Sequence, residues 1–126
     1  MSNGKKNKFV VASSSPFAAS LFERMTVSRS EAWKLITRKE DFTISRLRDF
    51  KPRYVFLPHW SFLVSEDIVN EFECVCFHCA DLPYGRGGSP LQNLIFRGHR
   101  KSVLTAFKMT KNIDAGPVYM KREISL

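Results

Sequence analysis

The chain has 126 residues, 44% of them hydrophobic and 13% aromatic, and a formal net charge of +8 at pH 7. That balance supports one compact core, leaves no room for a second domain and excludes a disordered tail. No apolar run approaches the roughly 18 to 20 residues that cross a bilayer, which excludes a membrane-spanning function.

In chain order, residues 1–7 read as a mobile basic lead. The apolar stretch behind Lys5, Lys6 and Lys8 faintly mimics a secretory signal, but Ser13, Ser14, Ser15 and Pro16 interrupt it. Residues 8–12 carry a buried-strand pattern, and Ser15-Pro16 offers an N-cap followed by proline, predicting a helix to about Met25. A weaker strand follows over 33–37. Ile44, Leu47 and Phe50 recur at helical spacing, so 43–50 reads as a short amphipathic helix leading into a strand over 54–58. Ser65 can cap a helix over 66–72, whose first turn holds Glu66 and Asp67 where the helix dipole favours them. Residues 74–78 form the next strand. Ser89-Pro90 repeats the cap-then-proline signal for a helix to about Phe96, closed by Gly98, and strands over 103–108 and 118–122 finish the chain. This alternation points to an α/β protein with a mostly parallel sheet flanked by helices, whose ligand crevice lies at the carboxyl ends of the strands. Three predicted strands end at residues 13–15, 58–60 and His78, which gathers the unusual side chains along one edge.

The basic residues spread over 5–8, 24–53 and 97–122, without zinc-finger spacing, heptads or an RNP-like motif. That spread argues against a dedicated nucleic-acid site. An anionic small-molecule substrate or a plain solvated surface accounts for the charge equally well. Cys74, Cys76 and Cys79 are odd in number and packed into six positions, a poor disulfide framework that fits a reducing cytoplasm. Cys74, Cys76 and His78 alternate along one strand face. A zinc site and a Cys–His nucleophile are therefore alternatives to buried inert thiols, although tetrahedral sites usually draw on two separated ligand pairs, which favours no metal.

His78 and Asp114 stand 36 positions apart, each inside a run rich in chemistry. A histidine oriented by a carboxylate can act as a general base near neutral pH. Between them, Gly85, Gly87 and Gly88 around Arg86 allow close backbone approach to a ligand beside a fixed charge, or an ordinary turn. Together, Cys76-Phe77-His78, Leu82-Pro83-Tyr84-Gly85-Arg86-Gly87-Gly88-Ser89-Pro90 and Ile113-Asp114-Ala115-Gly116-Pro117 resemble the folate-dependent formyltransferases. That family shares an Asn-x-His, a Leu-Pro-x-(Tyr/Trp)-Arg-Gly-type loop and a (Leu/Ile)-Asp-(Thr/Ala)-Gly motif. The likeness covers most of the chain from about Pro52 and, more loosely, residues 8–17. The run from Gly87 to Asn93 and the ending from Asp114 to Tyr119 look more like the branch acting on nucleotide-linked amino sugars than like the methionyl-tRNA enzymes.

The resemblance implies a shortened, Rossmann-like catalytic domain over 8–126 that moves a formyl group from N10-formyltetrahydrofolate to a primary amine. On this pattern His78 assists deprotonation of the attacking amine, and Asp114 orients and charge-balances the imidazole. Leu57, Pro58, Trp60, Phe62, Leu63, Met109 and Ile113 match the pterin pocket. Tyr84, Arg86, Gly87, Gly88 and Asn93 match the substrate loop. Aromatic core packing is the plainer role for Trp60 and Phe62. The implied partner is a small anionic substrate, a nucleotide-linked sugar, with a homodimer as an open assembly state. The sequence departs from the family in three places. Cys76 stands where the family has asparagine, the family's C-terminal domain is absent, and the region before His78 is short. The departures keep a second reading alive: a module that binds folate, nucleotide or a partner protein without chemistry.

Overall fold

The structure, a computed structural model, describes residues 7–82, 90–112 and 114–125, without the side chains of Pro90, Leu91 and Asn93. It divides into two compact units, Met1–Cys74 and Val75–Leu126.

The first unit contains β1 (Lys8–Ala12), α1 (Ala18–Thr26), β2 (Ala32–Ile36), α2 (Ile44–Phe50), β3 (Tyr54–Leu57) and α3 (Glu66–Glu71). Both β2 and β3 pair with β1 in parallel, with Phe9 opposite Trp33 and Tyr54. Val10 and Ala12 are fully buried, beside Val55 of β3 and Ile36 of β2 respectively, and Leu47 and Ile68 are buried on α2 and α3. Phe9, Trp33, Tyr54 and Phe56 form a ladder of rings, 4.8 Å apart at the Phe9–Trp33 step. Because the chain steps from β1 out to β2 and then back past β1 to β3, the strand order reverses at β1, and the loops after β1 and β3 become neighbours. Two hydrogen bonds join them: Ser14 N–H donates to the His59 carbonyl at 2.8 Å and Ser61 N–H to Ser14 Oγ at 2.9 Å.

The helices follow their caps, with two shifts from expectation. Thr43 Oγ1 accepts from Arg46 N–H at 3.3 Å and starts α2, which ends on Lys51 in the left-handed region at φ 57°. The first helix begins at Ala18 rather than beside Pro16, because Ser15 Oγ spends its acceptor on Phe17 N–H in a local turn. Ser65 likewise makes no side-chain cap on α3. Its hydroxyl bonds Asp67, whose Oδ1 accepts from Ile68 N–H at 3.0 Å. Arg48 on α2 clasps Glu71 on α3 through three contacts of 2.7 to 3.1 Å.

The second unit contains β4 (Cys74–His78, shared across the boundary), α4 (Pro90–Phe96), β5 (Lys101–Lys108) and β6 (Val118–Ser125). Here the pairings among the described residues are antiparallel, β4 with β5 and β5 with β6, beside the parallel pairing of the first unit in the expected α/β fold. The connection from β5 to β6 has no helix, and a parallel return needs a crossover of a dozen or more residues. The fourth helix closes at Gly98, φ +86°, where Gly98 N–H meets the Ile95 carbonyl and His99 N–H the Leu94 carbonyl, both at 3.0 Å. Among the described residues no helix is long and apolar enough to cross a membrane.

Candidate active site

The strand β4 delivers His78 at its carboxyl end, 7% exposed and opposite Thr105 of β5. The segment just past it is fastened to β5 by two side chains. Thr105 Oγ1 donates to the Ala80 carbonyl at 2.7 Å and Ser102 Oγ to the Cys79 carbonyl at 2.9 Å. Further on, Lys121 Nζ of β6 holds both Asp81 Oδ1, at 2.5 Å, and the Leu82 carbonyl, at 2.7 Å. The start of the glycine-rich loop is thereby tied to the antiparallel sheet.

Asp114 approaches from the β5–β6 connection, its Oδ2 3.6 Å from His78 Nδ1, with side chains 8% and 20% exposed for histidine and aspartate. That separation is longer than a hydrogen bond and short enough for strong attraction once the imidazole carries a proton. Asp114 sits at φ 49°, a conformation that aspartate and asparagine tolerate better than most side chains. Two residues later, Gly116 touches the end of β5 so closely that a Cβ would fall 1.7 Å from the Lys108 carbonyl oxygen. Lys108 N–H donates in turn to the Pro117 carbonyl at 2.8 Å. The carboxylate is therefore placed by backbone contact.

The thiols divide by burial. Cys74 is 1% exposed, and burial pushes its thiol up to about 12; Cys79 is raised for the same reason. Protonated thiols are poor nucleophiles and poor metal ligands. All three cysteines are free of disulfides, and no group of three or more His, Cys, Asp or Glu side chains suited to a metal occurs among the described residues. Cys76, on the same strand face as His78, is half-buried.

Of the residues matched to the pterin pocket, Leu57 is buried in the first unit's core and Pro58 is half-buried. Trp60 packs edge-on against Phe42 and Phe62 at 5.1 and 5.2 Å, and its buried Nε1 has no partner among the described residues. Phe62 is 41% and Leu63 fully exposed. Met109, in the second unit, is half-buried. Tyr84, Arg86, Gly87, Gly88 and Ile113 lie outside the described residues, and Asn93 is placed only as backbone of α4. Sequence reasoning missed Ser102, Thr105 and Lys121. Their roles depend on the β4–β5–β6 register, which no local motif encodes; Gly116 alone carried a signal, as the glycine of the aspartate motif.

The formyl transferase family matches residues 8–126. Over 93 residues the chain is 30% identical to the methionyl-tRNA formyltransferase of Thermotoga maritima, covering 72% of this chain and 29% of that protein. The structure of methionyl-tRNA formyltransferase from Clostridium thermocellum superposes with a TM-score of 0.86 at 36% identity, covering 94% of this chain and 53% of the other. Formyltransferase PseJ from Anoxybacillus kamchatkensis, solved with UDP-4,6-dideoxy-4-formamido-L-AltNAc and tetrahydrofolate, shares the fold at a TM-score of 0.74 and 16% identity, over 95% of this chain and 61% of that one. The chain thus spans under a third of the length of the curated relatives it matches. With the family match running from β1 to the end of the chain, the chain belongs to the formyl transferase family.

Proposed function

We propose that residues 8–126 work as a single formyltransferase-like domain, transferring a formyl group from N10-formyltetrahydrofolate to a primary amine on a nucleotide-linked sugar. The observation that carries this reading is the buried His78 beside Asp114 in a chain of this family. Asp114 faces Nδ1, which favours the proton on that nitrogen and leaves Nε2 to take the proton of the attacking amine. As the imidazole becomes charged, the carboxylate's attraction grows, which lowers the barrier to proton removal. The donor supplies the formyl group. Trp60, Phe62 and Leu63 suit its flat pterin, since Leu63 and Phe62 present uncovered apolar surface and the Trp60 indole N–H lacks an acceptor. The family pattern also assigns Leu57, Pro58, Met109 and Ile113 to the pterin and Tyr84, Arg86, Gly87, Gly88 and Asn93 to the anionic acceptor. Three free cysteines fit a reducing cytoplasm as the setting.

The acceptor is tested by incubating the chain with formyltetrahydrofolate and a panel of nucleotide-linked amino sugars and methionyl-tRNA, following tetrahydrofolate release. Turnover with an amino sugar, abolished in His78→Ala, is the expected result. Turnover confined to methionyl-tRNA would move the acceptor to the class named in the relatives at 30 to 36% identity. Unchanged turnover in His78→Ala would remove the histidine from the mechanism.

Cys76 favours a second reading, a folate-binding module without turnover. A thiol is a weak hydrogen-bond donor where the family pattern has an amide, and losing such a donor commonly costs roughly 100- to 1,000-fold in rate. Calorimetry separates the two: saturable binding of formyltetrahydrofolate with no product formed supports the module.

A further inference from the structure

The first unit holds a cavity of about 630 Å³ that the formyl-transfer reading does not use. Its walls are Phe9, Trp33 and Phe56, and Asn7, Arg29 and Glu31 stand among its polar lining residues. The rings are mutually packed, with Phe9–Trp33 centroids 4.8 Å apart and Trp33–Phe56 nearly parallel at 6.2 Å and 25°. Each of these aromatic residues is only half-buried. An apolar wall of this kind favours a flat π-system.

The polar groups narrow the choice. Trp33 offers its ring rather than its indole N–H, because Nε1 is buried out of reach of solvent. Arg29 Nη1 lies 3.6 Å from Glu31 Oε1, and Arg29 Nε is already bonded to the Met25 carbonyl at 3.2 Å, which holds the guanidinium in place. The pair sets a donor beside an acceptor and carries no net charge, which disfavours a bare phosphate. A guanine base presents the matching edge: N1–H and the N2 amine donate to a carboxylate, and O6 and N7 accept from arginine. Adenine puts a lone pair at N1, against the carboxylate.

We propose that this cavity, lined by Phe9, Trp33, Phe56, Arg29 and Glu31, is a binding site for a guanine base or guanosine. It lies wholly within the first unit and is independent of the chemistry assigned to His78, so either can fail alone.

The chain has two tryptophans, so Trp60→Phe leaves Trp33 as the sole reporter. Guanosine should quench Trp33 emission saturably, adenosine and uridine at least about tenfold more weakly, and Glu31→Ala should erase the preference. Equilibrium dialysis of the unsubstituted chain with guanosine and adenosine repeats the comparison without relying on the folding of any variant. Absence of saturable guanosine binding at millimolar concentration, or equal binding of the two nucleosides, overturns the proposal.

Discussion

At the scale of single residues, the pair of His78 and Asp114 was legible in the sequence because each is marked by its neighbours and by chemistry that few side chains can perform. Asp114→Asn should reduce turnover by roughly 100- to 10,000-fold, the range of general-base assistance, with the unfolding midpoint nearly unchanged. Asparagine accepts the φ of 49° as readily as aspartate, so retained turnover in this variant would show that the carboxylate has no catalytic part. Cys76→Asn tests the opposite direction. Restoring the family's amide should raise single-turnover formyl transfer by roughly 100-fold or more, and no gain would mean that another group already polarises the carbonyl. Thr105 and Ser102 were not legible. They are ordinary strand residues whose importance comes from facing the carbonyls of Ala80 and Cys79, a fact of long-range register.

At the scale of elements, every strand and every α-helix was found within a few residues of its expected place, because the apolar runs are short and punctuated by proline, glycine and serine. The boundaries moved where local side chains competed for backbone groups, as Ser15 does before α1 and Asp67 does at the start of α3. Strand direction was the weaker inference, since a short strand pattern reads alike in either sense, and only the connection between β5 and β6, helix-free among the described residues, reveals the antiparallel turn. That turn is also where the site is most fragile. A methyl at Gly116 meets backbone rather than a side chain that can swing aside, so Gly116→Ala should destabilise the protein by about 1–3 kcal/mol and displace Asp114. Thr105→Val, which removes one of the two donors to the buried Ala80 carbonyl and leaves it only the Leu82 N–H, should cost a smaller ~0.5–1.5 kcal/mol. Urea unfolding measures both. Turnover should fall far more in the glycine variant, and equal losses would show that Gly116 does not position the aspartate.

At the scale of the whole molecule, buried and surface ionisable groups limit the pH range from opposite ends. Glu71 is held below the usual carboxylate range, first by its hydrogen bonds from Arg48 and then by that guanidinium's charge. Its contribution is complete above the unfolded-state pKa and is lost as pH falls through the folded one. Cys74 works in reverse: the folded thiol ionises near 12 against an ordinary 9.0, so the unfolded chain sheds its proton first. Stability should therefore fall with rising pH between those values, by up to about 1.4 kcal/mol per pH unit from this group. Cys74→Ala should flatten that slope in urea titrations, and a slope identical to that of the unsubstituted chain would remove Cys74 as its source.

The last strand has a further consequence. Among the described residues β6 pairs only with β5, and along its eight residues Val118, Tyr119 and Met120 are 43 to 63% exposed. A strand with one open edge is a template on which other chains can add, and charged side chains are the usual guard. Here that guard is the run Lys121-Arg122-Glu123, directly after the apolar residues. Replacing Arg122 and Glu123 together by valine should convert the dilute, dispersed protein into one that associates with rising concentration, as light scattering would record. Unchanged scattering would mean that the edge is protected by its twist or by neighbouring chain rather than by charge.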